Sequence, residues 1–186
     1  MTLNKAKAAL STGLLLAVLV FFPAMAMAAQ QTVTLTPASS AQLLGGSDFS
    51  LTATYDADSA AKTGIGLRIH YNSSVLTFVN FSDWLTLNFI SKSSSPQADS
   101  LDRDGDPSTD KFVAISWADT SFPAAWPGSV PVALCKINFS PTGKGTSPVK
   151  ISFSSTNSSQ PAEAVHATVT VSSAPSQIQV SSAALT

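Results

Sequence analysis

Apolar and polar residues alternate in short runs along most of this chain, and no long stretch has helical spacing. Thr32–Thr36 sets Val33 and Leu35 between threonines. Phe49–Tyr55 puts Phe49, Leu51, Ala53 and Tyr55 on one face and Ser50, Thr52 and Thr54 on the other. Gly64–Tyr71 turns Ile65, Leu67, Ile69 and Tyr71 inward, with Arg68 and His70 outward. Val75–Phe81 is apolar on both faces, as a covered strand would be. Phe112–Ala118, Val132–Phe139, Val149–Phe153 and Ala167–Val171 complete the set. Turn signals separate the runs: Gly45-Gly46, Asn72-Ser73-Ser74, Pro127-Gly128 and Pro141-Thr142-Gly143. About eight or nine strands so punctuated predict an all-β domain: a two-sheet antiparallel β-sandwich, with jelly-roll connections.

Three stretches depart from this pattern. At the start, Lys5 and Lys7 precede the apolar run Leu14–Phe22, Pro23 breaks it, and Ala26-Met27-Ala28 supplies small residues for cleavage. Residues 1–28 read as a signal peptide, since the run is short of the roughly 20 residues that span a bilayer. Residues 91–110 are polar and show no strand pattern, which predicts a long loop. Residues 172–186 read as a flexible tail or linker stub. The domain is expected over 29–171, in a protein that is secreted or held at the cell surface.

Charge narrows the partners. The signal holds two lysines and no acid, so its removal takes the net charge from −1 to −3. A chain without a basic surplus is a poor ligand for nucleic acid. Only 11% of residues are charged, against about 25% in ordinary domains. The lone Cys135 has no partner for an internal disulfide, and its place in VALCKINF makes it a small buried side chain.

The run Gly64–Phe81, GIGLRIHYNSSVLTFVNF, resembles the early strand pair of cohesin-type modules: Tyr71-Asn72, the turn Ser73-Ser74, then Val75-Leu76-Thr77-Phe78. VPVALCKINFSPTGKGTSPVKISF resembles the late strand pair of the same family. The resemblance spans residues 31–171. It implies a secreted jelly-roll sandwich that binds dockerin modules and assembles extracellular complexes, in a fold close to some carbohydrate-binding modules.

Two features carry candidate chemistry. Residues 99–110 hold five of the eleven acids: Asp99, Asp102, Asp104, Asp106 and Asp110. Packed carboxylates repel unless neutralised, and Ca²⁺ takes six to eight oxygens from such loops. Asp102, Asp104, Asp106 and Asp110 are the expected calcium ligands, with Asp99 in reserve and Gly105 supplying a left-handed turn. The spacing is not that of an EF-hand, because the glycine falls one residue early. Among the tryptophans, Trp117 alternates with Val113 and Ile115 and is expected in the core. Trp84 and Trp126 lie beside turns, either packed on the domain or free to stack on a sugar.

Enzyme chemistry finds no support. His70 and His166 are both expected on the surface, and neither G-x-S-x-G nor H-E-x-x-H occurs. The expected function is non-catalytic binding. A protein partner would dock on one sheet face through Arg68 and His70. Otherwise a polysaccharide would stack on Trp84 or Trp126, or the chain would be a structural component of a surface layer or matrix.

Overall fold

A computed structural model describes residues 31–58, 63–86, 89–124, 126–156 and 161–174. The expected signal peptide and all of the tail beyond residue 174 lie outside the described residues. The described chain forms β1 (Gln31–Thr36), β2 (Ser39–Leu43), β3 (Phe49–Ala57), β4 (Gly64–Tyr71), β5 (Leu76–Ser82), β6 (Phe89–Lys92), β7 (Gln97–Ala98), β8 (Lys111–Ala118), β9 (Val132–Pro141), β10 (Gly145–Ser155), β11 (Ala162–Val165) and β12 (Ala167–Ser172).

Two sheets face one another. The five-stranded sheet runs β11-β1-β3-β9-β5. The seven-stranded sheet runs β2-β12-β10-β4-β8-β6, with the short β7 also on β8. Alternation decides what lies between them. Leu51, Ala53 and Tyr55 meet Ile65, Leu67, Ile69, Val113, Ile115 and Trp117 in one buried cluster. Each fully buried aliphatic side chain there contributes about 1.5–3 kcal/mol relative to exposure.

The sandwich is as the alternation predicts, with four departures. The two strands beyond those expected at the ends, β2 and β11, are short: SSAQL and AEAV. Four or five residues at a sheet edge, with no large apolar side chain turned inward, leave little apolar period to read. They also pair in parallel, β1 with β11 and β2 with β12, so the sheets are mixed rather than purely antiparallel. The 91–110 stretch is not strand-free: β6 runs into it and β7 pairs Gln97 with Phe112. Finally, β5 is an edge strand with one open face, and Val79 is exposed.

Cys135 lies in the core on β9, and burial pushes its thiol pKa up to about 12. The thiolate is the reactive form. Native protein should therefore fail to react with Ellman's reagent at mildly alkaline pH and release one equivalent once unfolded. Rapid reaction of the native chain would contradict this burial.

Candidate functional site

On β4 the alternation turns Arg68 and His70 out of the sandwich, yet His70 is fully buried. The cover comes from residues 93–110. Ser93 N–H donates to Ala114 O (2.8 Å), and β7 then joins β8. Asp99 N–H donates to Asp110 O (2.9 Å), and Asp110 N–H to Tyr71 O (3.2 Å). Inside this clasp the backbone makes tight turns, with Asp102 N–H on Asp99 O and Gly105 N–H on Asp102 O, both 3.1 Å. Asp102 and Gly105 have φ of 47° and 67°, a region that Gly and Asp tolerate best.

The winding brings Asp99 and Asp104 over His70. His70 Nδ1 lies 2.7 Å from Asp99 Oδ2 and 3.9 Å from Asp104 Oδ1, and all three side chains are 0–1% exposed. Asp99 is the partner of Nδ1, in an ion-pair contact that lies off the line of a well-formed hydrogen bond. On the far side of the ring Nε2 is 2.7 Å from Ser152 Oγ. Burial lowers the His70 pKa, opposed by the two carboxylates, and Arg68 lowers it further.

The carboxylate oxygens of both acids are held as well. Arg103 Nη1 donates to Asp99 Oδ1 (3.3 Å), and the Arg103 N–H reaches both oxygens of Asp99 at 3.2–3.3 Å. Thr109 Oγ1–H donates to Asp104 Oδ2 (2.9 Å), while Asp106 N–H makes a long contact of 3.4 Å to Asp104 Oδ1. The ring of Phe112 floors this region, 5.4 Å from His70, with the Arg103 and Arg68 guanidinium carbons 5.3 and 6.0 Å from its centre.

The four expected calcium ligands do not converge. Asp102 is exposed. Asp106 binds Lys150 Nζ (2.8 Å) and the Ser108 hydroxyl and N–H, which hold its pKa down to about 2. Asp110 turns to Ser73; burial raises its pKa, but the bonds from the Ser73 hydroxyl and N–H outweigh this and leave it lowered. Of the four, Asp104 alone joins a group of possible ligands, and its companions there are His70 and the reserve acid, Asp99. Sequence reasoning set His70 on an open surface because β-alternation says which way a side chain leaves the sheet, not what folds over it.

The other singled-out residues fall as follows. Trp117 is in the core as expected, its indole N–H donating to Leu85 O (3.0 Å). Trp126 is also fully buried, against Tyr55 with ring centres 4.9 Å apart, so it offers no face to a sugar. Trp84 is half-buried and Lys92 Nζ sits 3.3 Å from its ring centre, covering one face. Arg68 is half-buried and donates to Phe153 O (3.2 Å). His166 is exposed, with Nδ1 accepting from Ile151 N–H (3.2 Å).

This is a jelly-roll sandwich whose buried polar group lies outside the core, beneath a loop. The sandwich is of the cohesin type. Its likeness to the third cohesin of ScaC from Acetivibrio cellulolyticus, solved with the ScaB dockerin, has a TM-score of 0.56 over 76% of this chain and 98% of that one, at 12% identity. The seventh ScaB type I cohesin from Pseudobacteroides cellulosolvens superposes with a TM-score of 0.52 over 81% and 97% of the two chains, at 14% identity. A non-cellulosomal cohesin from the archaeon Archaeoglobus fulgidus gives 0.50 over 77% and 92%, at 13% identity. No protein-family model and no curated protein matches the sequence. At such identities the likeness speaks for the fold.

Proposed function

We propose that this chain is a secreted, non-catalytic module that docks an extracellular protein partner of the dockerin kind. The observation that carries the proposal is the fold, shared with modules such as the ScaC cohesin solved with a dockerin. The export pattern of residues 1–28 supports secretion. The sugar reading loses its platform, since Trp126 is buried and Trp84 is partly covered.

The docking face proposed is the outer side of the seven-stranded sheet. Ala114 and Ser116 of β8 and Ser152 of β10 are small there, with Arg68 beside them, so the surface stays low enough to receive a partner's element. His70 drops out as a contact because the loop covers it. Leu101, 70% exposed on that loop, adds an apolar anchor at the rim. The opposite face is already satisfied by its own bonds: Ser50 Oγ–H donates to Asn138 Oδ1 (2.5 Å), and Asn138 Nδ2 to Asn80 Oδ1 (2.6 Å) and Ser82 Oγ (3.0 Å).

Immobilised chain should retain a protein from the source organism's secreted fraction. Ser116→Arg or Leu101→Asp should abolish retention, while Asn138→Arg on the other sheet leaves it intact. Loss with Asn138→Arg alone would move the face. Retention only on insoluble polysaccharide would replace the protein reading by a carbohydrate one.

A further inference from the structure

We propose that His70 Nδ1, Asp99 and Asp104 form a binding site for a divalent transition-metal ion, for which Zn²⁺ is the fitting probe. The three ligand atoms lie within 4.8 Å of one another, one from β4 and two from the loop that covers it.

The argument begins at the imidazole. A hydrogen on Nδ1 would meet Asp99 Oδ2 at 2.7 Å, but off the line of a well-formed hydrogen bond. A hydrogen on Nε2 does find an acceptor, Ser152 Oγ at 2.7 Å. The tautomer with its hydrogen on Nε2 makes the better-aligned bond and leaves a lone pair on Nδ1. That lone pair faces carboxylate oxygens at 2.7 and 3.9 Å in a buried site. Such an arrangement is repulsive until a proton or a metal cation sits among the three atoms. Arg103 is not that cation, because its guanidinium holds Asp99 Oδ1, the oxygen facing away from His70.

Every candidate ligand is also braced from behind, as metal ligands usually are. Ser152 sets the ring, Arg103 holds Asp99, and Thr109 holds Asp104 through Oδ2, with Oδ1 toward Nδ1 under only the long contact from Asp106 N–H. The two carboxylates match the charge of a dication, while Arg103, paired with Asp99 from outside, adds one further positive charge. One nitrogen and two carboxylates suit Zn²⁺, with a water completing four-coordination. They do not suit Ca²⁺, which takes six to eight oxygens. With side chains 0–1% exposed, the site is structural: metal capture and closure of the loop are one event.

The test uses the whole chain without a histidine tag, stripped with EDTA and dialysed against Zn²⁺ or Ca²⁺. We expect one Zn²⁺ retained per chain by elemental analysis, a melting temperature raised by Zn²⁺ and not by Ca²⁺, and a tetrahedral d–d spectrum on Co²⁺ substitution. Asp104→Asn should remove the Co²⁺ spectrum while circular dichroism stays native. Thr109→Val should weaken Zn²⁺ about 10–100-fold. His166→Ala should change nothing. Failure of His70→Asn to fold leaves these readouts in force. No bound Zn²⁺, stabilisation by Ca²⁺ alone, or Zn²⁺ binding that survives Asp104→Asn would each overturn the proposal.

Discussion

Trp126→Ala should destabilise the native chain by about 3–5 kcal/mol, the usual cost of truncating a large buried aromatic. Trp126 is fully buried, packs on Tyr55, and ties a long loop to the core. Its backbone N–H donates to Asp119 Oδ2 (2.9 Å), and the same carboxylate receives the Ser121 N–H at 2.9 Å through Oδ1. A cavity of that size in a domain holding about 5–15 kcal/mol in total leaves little reserve. The melting temperature should fall on the order of 10 °C. Trp126→Phe is the instructive companion. The indole N–H is buried without a partner among the described residues. Phenylalanine keeps most of the packing and removes that unpaired donor, so its cost should stay near ~1 kcal/mol. Urea titrations of the two variants decide the matter; equal losses would mean that the N–H is satisfied in solution.

Gly143→Ala is the second large effect, expected at about 3 kcal/mol. Gly143 lies in the β9–β10 turn, where its N–H and that of Thr142 both donate to Val75 O at 3.0 Å. A Cβ there would stand 1.8 Å from Ser74 O, a backbone atom that cannot swing aside. The two turns would have to part, an overpacking at the upper end of its usual cost. Gly105→Ala isolates the cause. Gly105 has φ +67° but nothing within 4 Å of the added carbon. It should lose only the roughly 1–2 kcal/mol of left-handed backbone strain. If thermal melts reverse that order, close approach is not what selects glycine at 143.

Period-two alternation is a local signal, and it made most of the core legible. Leu51, Ala53, Tyr55, Ile65, Leu67, Ile69 and Trp117 all lie inward as it predicts. What it missed depends on distant neighbours. SSAQL carries no apolar period because, at a sheet edge, its hydrogen bonds to β12 define it as a strand. His70 reads as a surface residue until a segment some thirty positions later folds onto it. The acidic loop was recognisable as a cluster. Which of its carboxylates face one another was not, because turns at Asp102 and Gly105 override simple alternation along the loop.

The parallel pairings at the two ends of the domain govern when it can fold. β1 waits for β11, and Gln31 meets Ala162; β2 waits for β12, and Ser39 meets Thr168. Nearly the whole chain must therefore be present before its first strands gain all their neighbours. Loop-closure entropy is spent long before those contacts repay it, so refolding should fall in the millisecond-to-second range of strongly non-local β-proteins. A nascent chain still emerging N-terminus first would remain open at both sheet ends until its last strands arrive.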